Sequence, residues 1–205
     1  MYLPPQFQSA DRQLAAELMR GHPLASLIST DSDGLPFVSH LPLHLEERAG
    51  TFWLLGHCAR ANPHWRYLQE RPQALVTFLG PHAYLSPAVY PDRPRVPSWN
   101  YLAVHCTVRA TLVEEQGAKD ALLKKLIGDH EPAYAAQWRS LGEAFAQKML
   151  AGIVGFELEV LKLECKLKVN QHRPESHAAL RAAYAAGNER ERDLGRWMEK
   201  LGLGG

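Results

Sequence analysis

An α+β architecture built mainly on antiparallel strands, a barrel with peripheral helices, is the fold this chain predicts. Apolar runs with a period of two recur through it. In Leu102 to Val113, Leu102, Val104, Cys106, Val108, Ala110 and Leu112 alternate with Ala103, His105, Thr107, Arg109 and Thr111. The runs are joined by turn clusters such as Asp31-Ser32-Asp33-Gly34 rather than by regularly interposed helices, which argues against a parallel β-α-β sheet. Helical spacing comes late, in the stretch after Gly117 and again near the end.

In chain order, Asp11 to Arg20 sets Leu14 with Leu18 and Ala15 with Met19 at i, i+4, a short packing helix stopped by Gly21 and Pro23. Leu24 to Thr30 and Phe37 to Leu45 read as a hairpin about the Asp-Gly turn. In its second strand Phe37, Leu41, Leu43 and Leu45 share one face, and Val38, His40, Pro42 and His44 share the other. Glu46 to Gly50 is expected to turn the chain into a short strand at Trp53 to Leu55.

After a helix from Pro63, Arg71-Pro72 signals a stop, with strands predicted at Ala74 to Leu79 and His82 to Ser86. The segment Pro87 to Trp99 is interrupted by Pro91, Pro94 and Pro97 and flanked by Tyr84 and Tyr101. It reads as an ordered aromatic loop over a pocket or a subunit interface. Gly117 to Gly128 and the stretch after Pro132 form a helical pair, Ile153 to Leu163 returns to strand, and a helical tail runs from about Glu175 to Leu201.

The stretch Trp53 to Trp65, WLLGHCARANPHW, holds the densest group of candidate binding residues. An apolar strand runs through Gly56, where the backbone can turn or approach a ligand, into His57 and Arg60, which bring positive charge. Asn62 stands at an N-cap with Pro63 at the first helical position, and a helix start with an adjacent arginine suits a phosphate or carboxylate. On these residues alone the simpler reading is an ordinary strand-loop-helix joint with a solvated arginine.

Length and composition bound the rest. With 205 residues and 46% hydrophobic content the chain suits one large domain with appended helices, and a net charge of +1 lacks the broad electrostatic footprint of a nucleic-acid or anionic-membrane binder. Three widely spaced cysteines, Cys58, Cys106 and Cys165, disfavour a disulfide framework or zinc knuckle and suit a reducing cytoplasm. MYLPPQFQ has no leader character and no apolar stretch reaches 18 residues, so a soluble, unexported chain without membrane contact is expected. No dinucleotide, Walker A, nucleophile-elbow or zincin motif occurs, so no catalytic residue is assigned. His40 and His44 with His57 or His105 could in principle ligate a metal, but scattered histidines do not define a site, and none is expected. Cys58 beside Arg60 could have a depressed pKa, without a recognisable base to make it a nucleophile. Glu189 to Asp193 is a mixed-charge, solvated helical face.

Four strings, GHCARANPHW from Gly56, YLSPAVY from Tyr84, VPSWNY from Val96 and KVNQHRP from Lys168, occur in an order and spacing that resembles the PaiB-like family of FMN-binding negative transcriptional regulators. The likeness covers nearly the whole chain. In the last string the family pattern is of the K-L-S-Q-N-R type, from which Val169, Asn170 and His172 depart. The family is similar in fold to pyridoxamine-phosphate oxidase. What the resemblance implies is a homodimeric split barrel with FMN at the subunit interface: residues 1–173 as the flavin-binding domain with a helical insertion at about 116–150, and 174–205 as a helical tail on the same domain.

The resemblance also implies roles. His57, Arg60 and Asn62 would surround the FMN phosphate, and Val38, Ser39, His40 and Leu41 would run along the ring. Trp99, Asn100 and Tyr101 would come from the proline-rich loop, with interface packing as the other reading of both aromatics, and Lys168 and Gln171 from the C-terminal segment. A flavin needs charge at one end, apolar walls and a few hydrogen-bonding groups at its polar edge, so the set is coherent. Function then divides between a repressor that uses FMN as a structural or sensing ligand and a small FMN-dependent oxidoreductase, with a haem-binding split-barrel protein third. Any DNA contact is expected to be weak and salt-sensitive, through Lys119, Lys124 and Lys125 and through Arg190, Arg192 and Arg196 on a dimer surface.

Overall fold

The computed structural model describes residues 1–92 and 94–203, so the last two residues of the expected tail lie outside the described residues. Among the described residues eight strands, β1 (Gln8–Ser9), β2 (Leu24–Thr30), β3 (Pro36–Pro42), β4 (His44–Arg48), β5 (Thr51–Ala59), β6 (Gln73–Leu85), β7 (Ser98–Val113) and β8 (Ile153–Lys168), form one sheet. Its order is β3-β2-β6-β7-β8-β5-β4, with β1 against β8. The path ends at β3 and β4, so this is an open, split barrel. The helices are α1 (Arg12–Gly21), α2 (His64–Glu70), α3 (Gln116–His130), α4 (Tyr134–Ser140), α5 (Glu143–Ala151), α6 (His177–Ala185) and α7 (Glu189–Lys200).

The chain divides into two compact units. One comprises Met19–Phe78 and His105–Leu163. Its β2-β3 hairpin pairs Leu24 with Pro42 through Thr30 with Pro36, as the alternation and the Asp-Gly turn predict. Asp31 accepts from the N–H groups of Asp33 and Leu35, and Gly34 has φ of 83°, the left-handed conformation that such a turn needs. Leu27, Phe52, Leu54, Val108, Phe156 and Leu158 are buried in this unit, and α3 adds Leu122 and Leu126 against Leu55. Glu115 caps α3 by accepting from the N–H groups of Gly117 and Ala118. The other unit comprises Met1–Leu18, Leu79–Val104 and Glu164–Gly205. There α6 and α7 bury Leu180, Tyr184, Leu194, Trp197 and Met198, and Asn188 with Glu191 forms a capping box that starts α7.

Several boundaries differ from the sequence expectation. Phe37 to Leu45 is two strands, because Pro42 has no N–H and Leu43 donates its own to the carbonyl of Pro23 at 3.0 Å, leaving the ladder. Glu46 to Arg48 extends β4, and the turn is confined to Ala49 and Gly50, both with positive φ. The strand opening at Trp53 runs on to Ala59, so Gly56 and His57 are ladder residues rather than a loop. A Cβ at Gly56 would lie 2.4 Å from Leu43 Cδ2 and 2.9 Å from Phe156, so what approaches Gly56 closely is the core.

The two strands predicted at 74–79 and 82–86 are the single strand β6, whose buried positions slip by one residue at Gly80-Pro81. Leu18 and Leu102 press on Gly80, which leaves no room for a side chain. Trp99, Asn100 and Tyr101 belong to β7, not to the proline-rich loop. The helix after Pro132 is broken into α4 and α5 by Gly142 at φ of 80°, and the tail is broken into α6 and α7 near Gly187.

Candidate functional site

The residues singled out from the sequence fall into two groups, one in each unit. In the first, β3 exposes Val38 and His40 on one face and turns Ser39 and Leu41 inward. His40 Nδ1 is hydrogen-bonded to Ser26 Oγ at 3.0 Å. Ser39 Oγ is the centre of a buried polar cluster: Asn62 donates from Nδ2 at 3.0 Å, and His64 Nδ1 lies at 2.8 Å. Asn62 also accepts from the His64 N–H at 3.0 Å, which satisfies one orphan donor at the start of α2.

Sequence reading missed His64. It is wholly buried, with its ring against the edges of Phe37 and the Ser39 hydroxyl, and burial pulls its pKa down to about 4. The neutral ring carries one proton, so whichever nitrogen faces Ser39 as donor or acceptor, Nε2 is a buried polar atom without a partner among the described residues. The signal was present in the string Asn62-Pro63-His64, where a histidine directly follows a cap.

His57 does not bring positive charge. Burial holds its pKa below the usual imidazole value, and among the described residues its buried Nδ1 likewise has no partner. Nor is Cys58 activated: burial raises its pKa, outweighing a backbone hydrogen bond from Trp65 and the Arg60 charge. Arg60 is held by Nε–H donation to the carbonyl of Ala151 at 3.1 Å and by Nη2 to Glu114 at 3.1 Å, with Ile153 O at 3.4 Å. Its backbone N–H donates to Gly152. A guanidinium here satisfies carbonyls at the C-terminus of α5, where a cation is favoured.

In the second group, β7 leaves Trp99 exposed, buries Asn100 and half-buries Tyr101. Asn100 donates from Nδ2 to Tyr184 Oη at 3.1 Å, while its Oδ1 is buried without a partner among the described residues. Lys168, at the end of β8, donates to Ser98 Oγ at 2.6 Å and Trp99 O at 2.7 Å, and its ammonium lies 5.8 Å from the Tyr101 ring. Burial lowers its pKa from the usual lysine value. Gln171 is occupied locally: it accepts from the Val169 N–H and donates to Leu167 O and Gln6 O.

Asn170, one of the departures from the family pattern, has φ of 63°, a conformation asparagine tolerates better than most residues. It accepts from Tyr90 Oη at 3.1 Å and donates to Ser176 Oγ at 2.7 Å. A cavity of about 320 Å³ opens beside it, lined in part by Phe7, Tyr90, Asn100, Lys168 and Arg173.

Most of the basic groups considered for DNA are otherwise engaged. Lys119 is buried and donates to Leu150 O at 2.8 Å. Lys124 pairs with Asp120, Lys125 with Glu46 and Arg196 with Asp193, and Arg192 donates to Gly187 O. Carboxylates thus offset the charges of Lys124, Lys125 and Arg196. Among the described residues no three His, Cys, Asp or Glu side chains are grouped to hold a metal, and no helix is long and apolar enough to cross a membrane.

Comparison with known proteins agrees with this architecture. Residues 1–162 match the family model described as "Putative FMN-binding domain". The chain is 31% identical over 179 residues to the protease synthase and sporulation protein PAI 2 of Bacillus subtilis, covering 86% of this chain and 84% of that one. Among solved structures it is similar to the FAD and heme binding protein of Mycobacterium smegmatis, with a TM-score of 0.61, 22% identity and coverage of 78% and 73% of the two chains. The flavocytochrome Anf3 of Azotobacter vinelandii gives a TM-score of 0.60 at 19% identity, covering 79% and 69%. These two likenesses bear on the fold alone. The chain belongs to the FMN-binding domain family, a split-barrel flavoprotein whose cofactor is FMN.

Proposed function

We propose that this protein is an FMN-binding negative transcriptional regulator of the PaiB-like type, a homodimer that holds its flavin at the interface between two copies. The observation that carries the reading is the 31% identity, over 86% of this chain, to the relative named protease synthase and sporulation protein PAI 2. Within the reading, the barrel domain spans residues 1–173 and the tail, 174–205, packs on it. The protein works in the cytoplasm.

The residues present suit a flavin. Buried polar atoms without partners among the described residues, at His57 Nδ1, His64 Nε2 and Asn100 Oδ1, leave hydrogen-bonding capacity that a protein core rarely wastes. Val38, Ser39, His40 and Leu41 lie on β3, at an end of the sheet, where an edge faces no further strand. His57, Arg60 and Asn62 would hold the phosphate end, with Arg60 released from Glu114 to do so. Trp99, Asn100, Tyr101, Lys168 and Gln171 would contact the ring or its polar edge. Bound FMN would supply a redox-active ring, and the chain's part is to bind, orient and shield it.

The test has three measurements on the purified protein. A flavin absorption spectrum is expected, light scattering should give a dimer at micromolar concentration, and operator-region DNA should bind weakly with an affinity that changes with FMN. Each phosphate contact would contribute about 0.9 to the slope of log affinity against log salt. A stable monomer sinks the interface. Absence of binding to any DNA at low salt sinks direct repression and leaves a small FMN-dependent oxidoreductase as the reading.

A further inference from the structure

A cavity of about 560 Å³ opens between one flank of α3 and the strands β5, β7 and β8, and the flavin reading uses none of the described residues that line it. Small-molecule sites commonly have roughly 300 to 1,000 Å³. Leu55, Leu112, Val113 and Leu122 give it apolar walls. Ala118 and Ala121 line it from α3, and side chains this short leave open a gap that larger ones would close.

Its charged groups are unequal in sign: Glu114, Glu115 and Glu157 stand against Lys125. Lys125 is paired with Glu46, which does not line the cavity, and Glu157 is met by Arg48 through two hydrogen bonds of 3.0 and 2.8 Å. The other two carboxylates are less fully met. Glu114 is half exposed and its pairing with Arg60 at 3.1 Å is of the exposed kind that contributes little. Glu115 accepts from the N–H groups of Gly117 and Ala118 at 2.8 and 2.6 Å, and among the described residues no cationic side chain donates to it.

Negative charge beside apolar walls attracts a cation more strongly than it would in open water, because the walls lower the local dielectric. Among the described residues no three His, Cys, Asp or Glu side chains are grouped to hold a metal, so the cation that fits both the walls and the carboxylates is an organic one.

We propose that this cavity binds a small organic monocation, an apolar aliphatic or aromatic body that carries one protonated amine. The ammonium donates to Glu115 and Glu114, and the body lies against Leu55, Leu112, Val113 and Leu122. Glu115 can take it without giving up the helix cap, since an ionised carboxylate has about four lone-pair sites and the cap uses two. In a flavoprotein regulator such a compound would be an effector, and in a flavin enzyme a substrate. The site itself rests on neither.

The experiment is calorimetric titration of FMN-loaded protein with 4-phenylbutylamine. Its alcohol, 4-phenylbutanol, is the control without charge, 4-phenylbutanoate the control of opposite charge, and methylamine the charge without a body. The amine should bind with one site per chain, and each control at least tenfold more weakly. Ala121→Phe, at an exposed helical position, fills the cavity and should weaken the amine at least tenfold. Glu115→Gln keeps an oxygen for the cap, removes the charge and should weaken it at least fivefold. Both variants should keep the parent's FMN affinity. Failure of the amine to bind overturns the proposal, and so does any control that binds as well as the amine does. Either variant folding and still binding the amine as tightly as the parent also overturns it, by placing the amine elsewhere. Mutual exclusion of the amine and FMN would do the same, by making the cavity part of the flavin's own site. If the protein takes up no FMN, the flavin reading fails by itself, and the same titrations on the flavin-free protein still decide the cavity.

Discussion

Ser39 Oγ and His64 Nδ1 lie 2.8 Å apart in the interior, on a strand and a helix whose sequence positions are separated by 25 residues. Because His64 is neutral in the fold, with a pKa near 4 against an ordinary 6.5, the unfolded chain binds more protons between those values. Stability from this residue is therefore complete above pH 6.5 and is lost as pH falls toward 4. The full effect is on the order of 3 kcal/mol. Urea denaturation from pH 7 to pH 4 should show the loss, with His57 adding in the same direction, and His64→Leu should flatten the profile. An unchanged slope in that variant would mean that His64 does not titrate in this window.

Gly56→Ala should destabilise the protein by about 1 to 3 kcal/mol, since the added methyl would overlap Leu43 and Phe156 in a filled core. Leu43→Ala makes room at that point while costing its own burial. Thermal or chemical denaturation of the two variants and their combination should give a double variant less destabilised than the sum.

Arg60 and Glu114 make a partly exposed pair in which the guanidinium also serves the carbonyls of Ala151 and Ile153. If the flavin phosphate draws Arg60 away from that carboxylate, Glu114→Gln should tighten FMN by at most a few-fold, as exposed pairs contribute little. Arg60→Ala should weaken FMN by about 1.5 to 3 kcal/mol, the scale of a charge-assisted hydrogen bond. Flavin fluorescence titration reads both. Equal affinities in all three proteins would place the phosphate elsewhere.

Tyr184 is the partner that Asn100 has, through its hydroxyl at 3.1 Å, and burial pushes the phenol up to about 12, so it stays protonated at any working pH. Tyr184→Phe leaves the Asn100 amide without that acceptor and should cost about 1 to 3 kcal/mol in denaturant unfolding. No loss would mean that the amide finds another partner.

Much of the local structure was legible in the residues. Leu24 to Thr30 and the strand after the Asp-Gly turn were readable because alternation and turn chemistry act within a few residues. The same holds for α1, α3 and the core of β7. Gly80-Pro81 misled for the same reason: as a dipeptide it marks a break, yet β6 passes through it with a one-residue slip because Leu18 and Leu102 close over the glycine. Within the candidate site, Arg60 and Asn62 could be picked out by type and position. The neutrality of His57 and the raised pKa of Cys58 could not, since both follow from burial.

The sequence by itself determined the α+β class, the antiparallel hairpins, the late helices and, through its strings of motif residues, the FMN-binding family. Those properties rest on backbone periodicity, turn preference and residue order, which need no distant partner. Only the tertiary structure decided that Arg60 answers to Glu114 and the end of α5, that Ser39 meets His64, and that Lys168 donates to Ser98 and the carbonyl of Trp99. Each of these joins residues far apart in the chain, and whether a charge is met, buried or left open depends on what packing brings beside it.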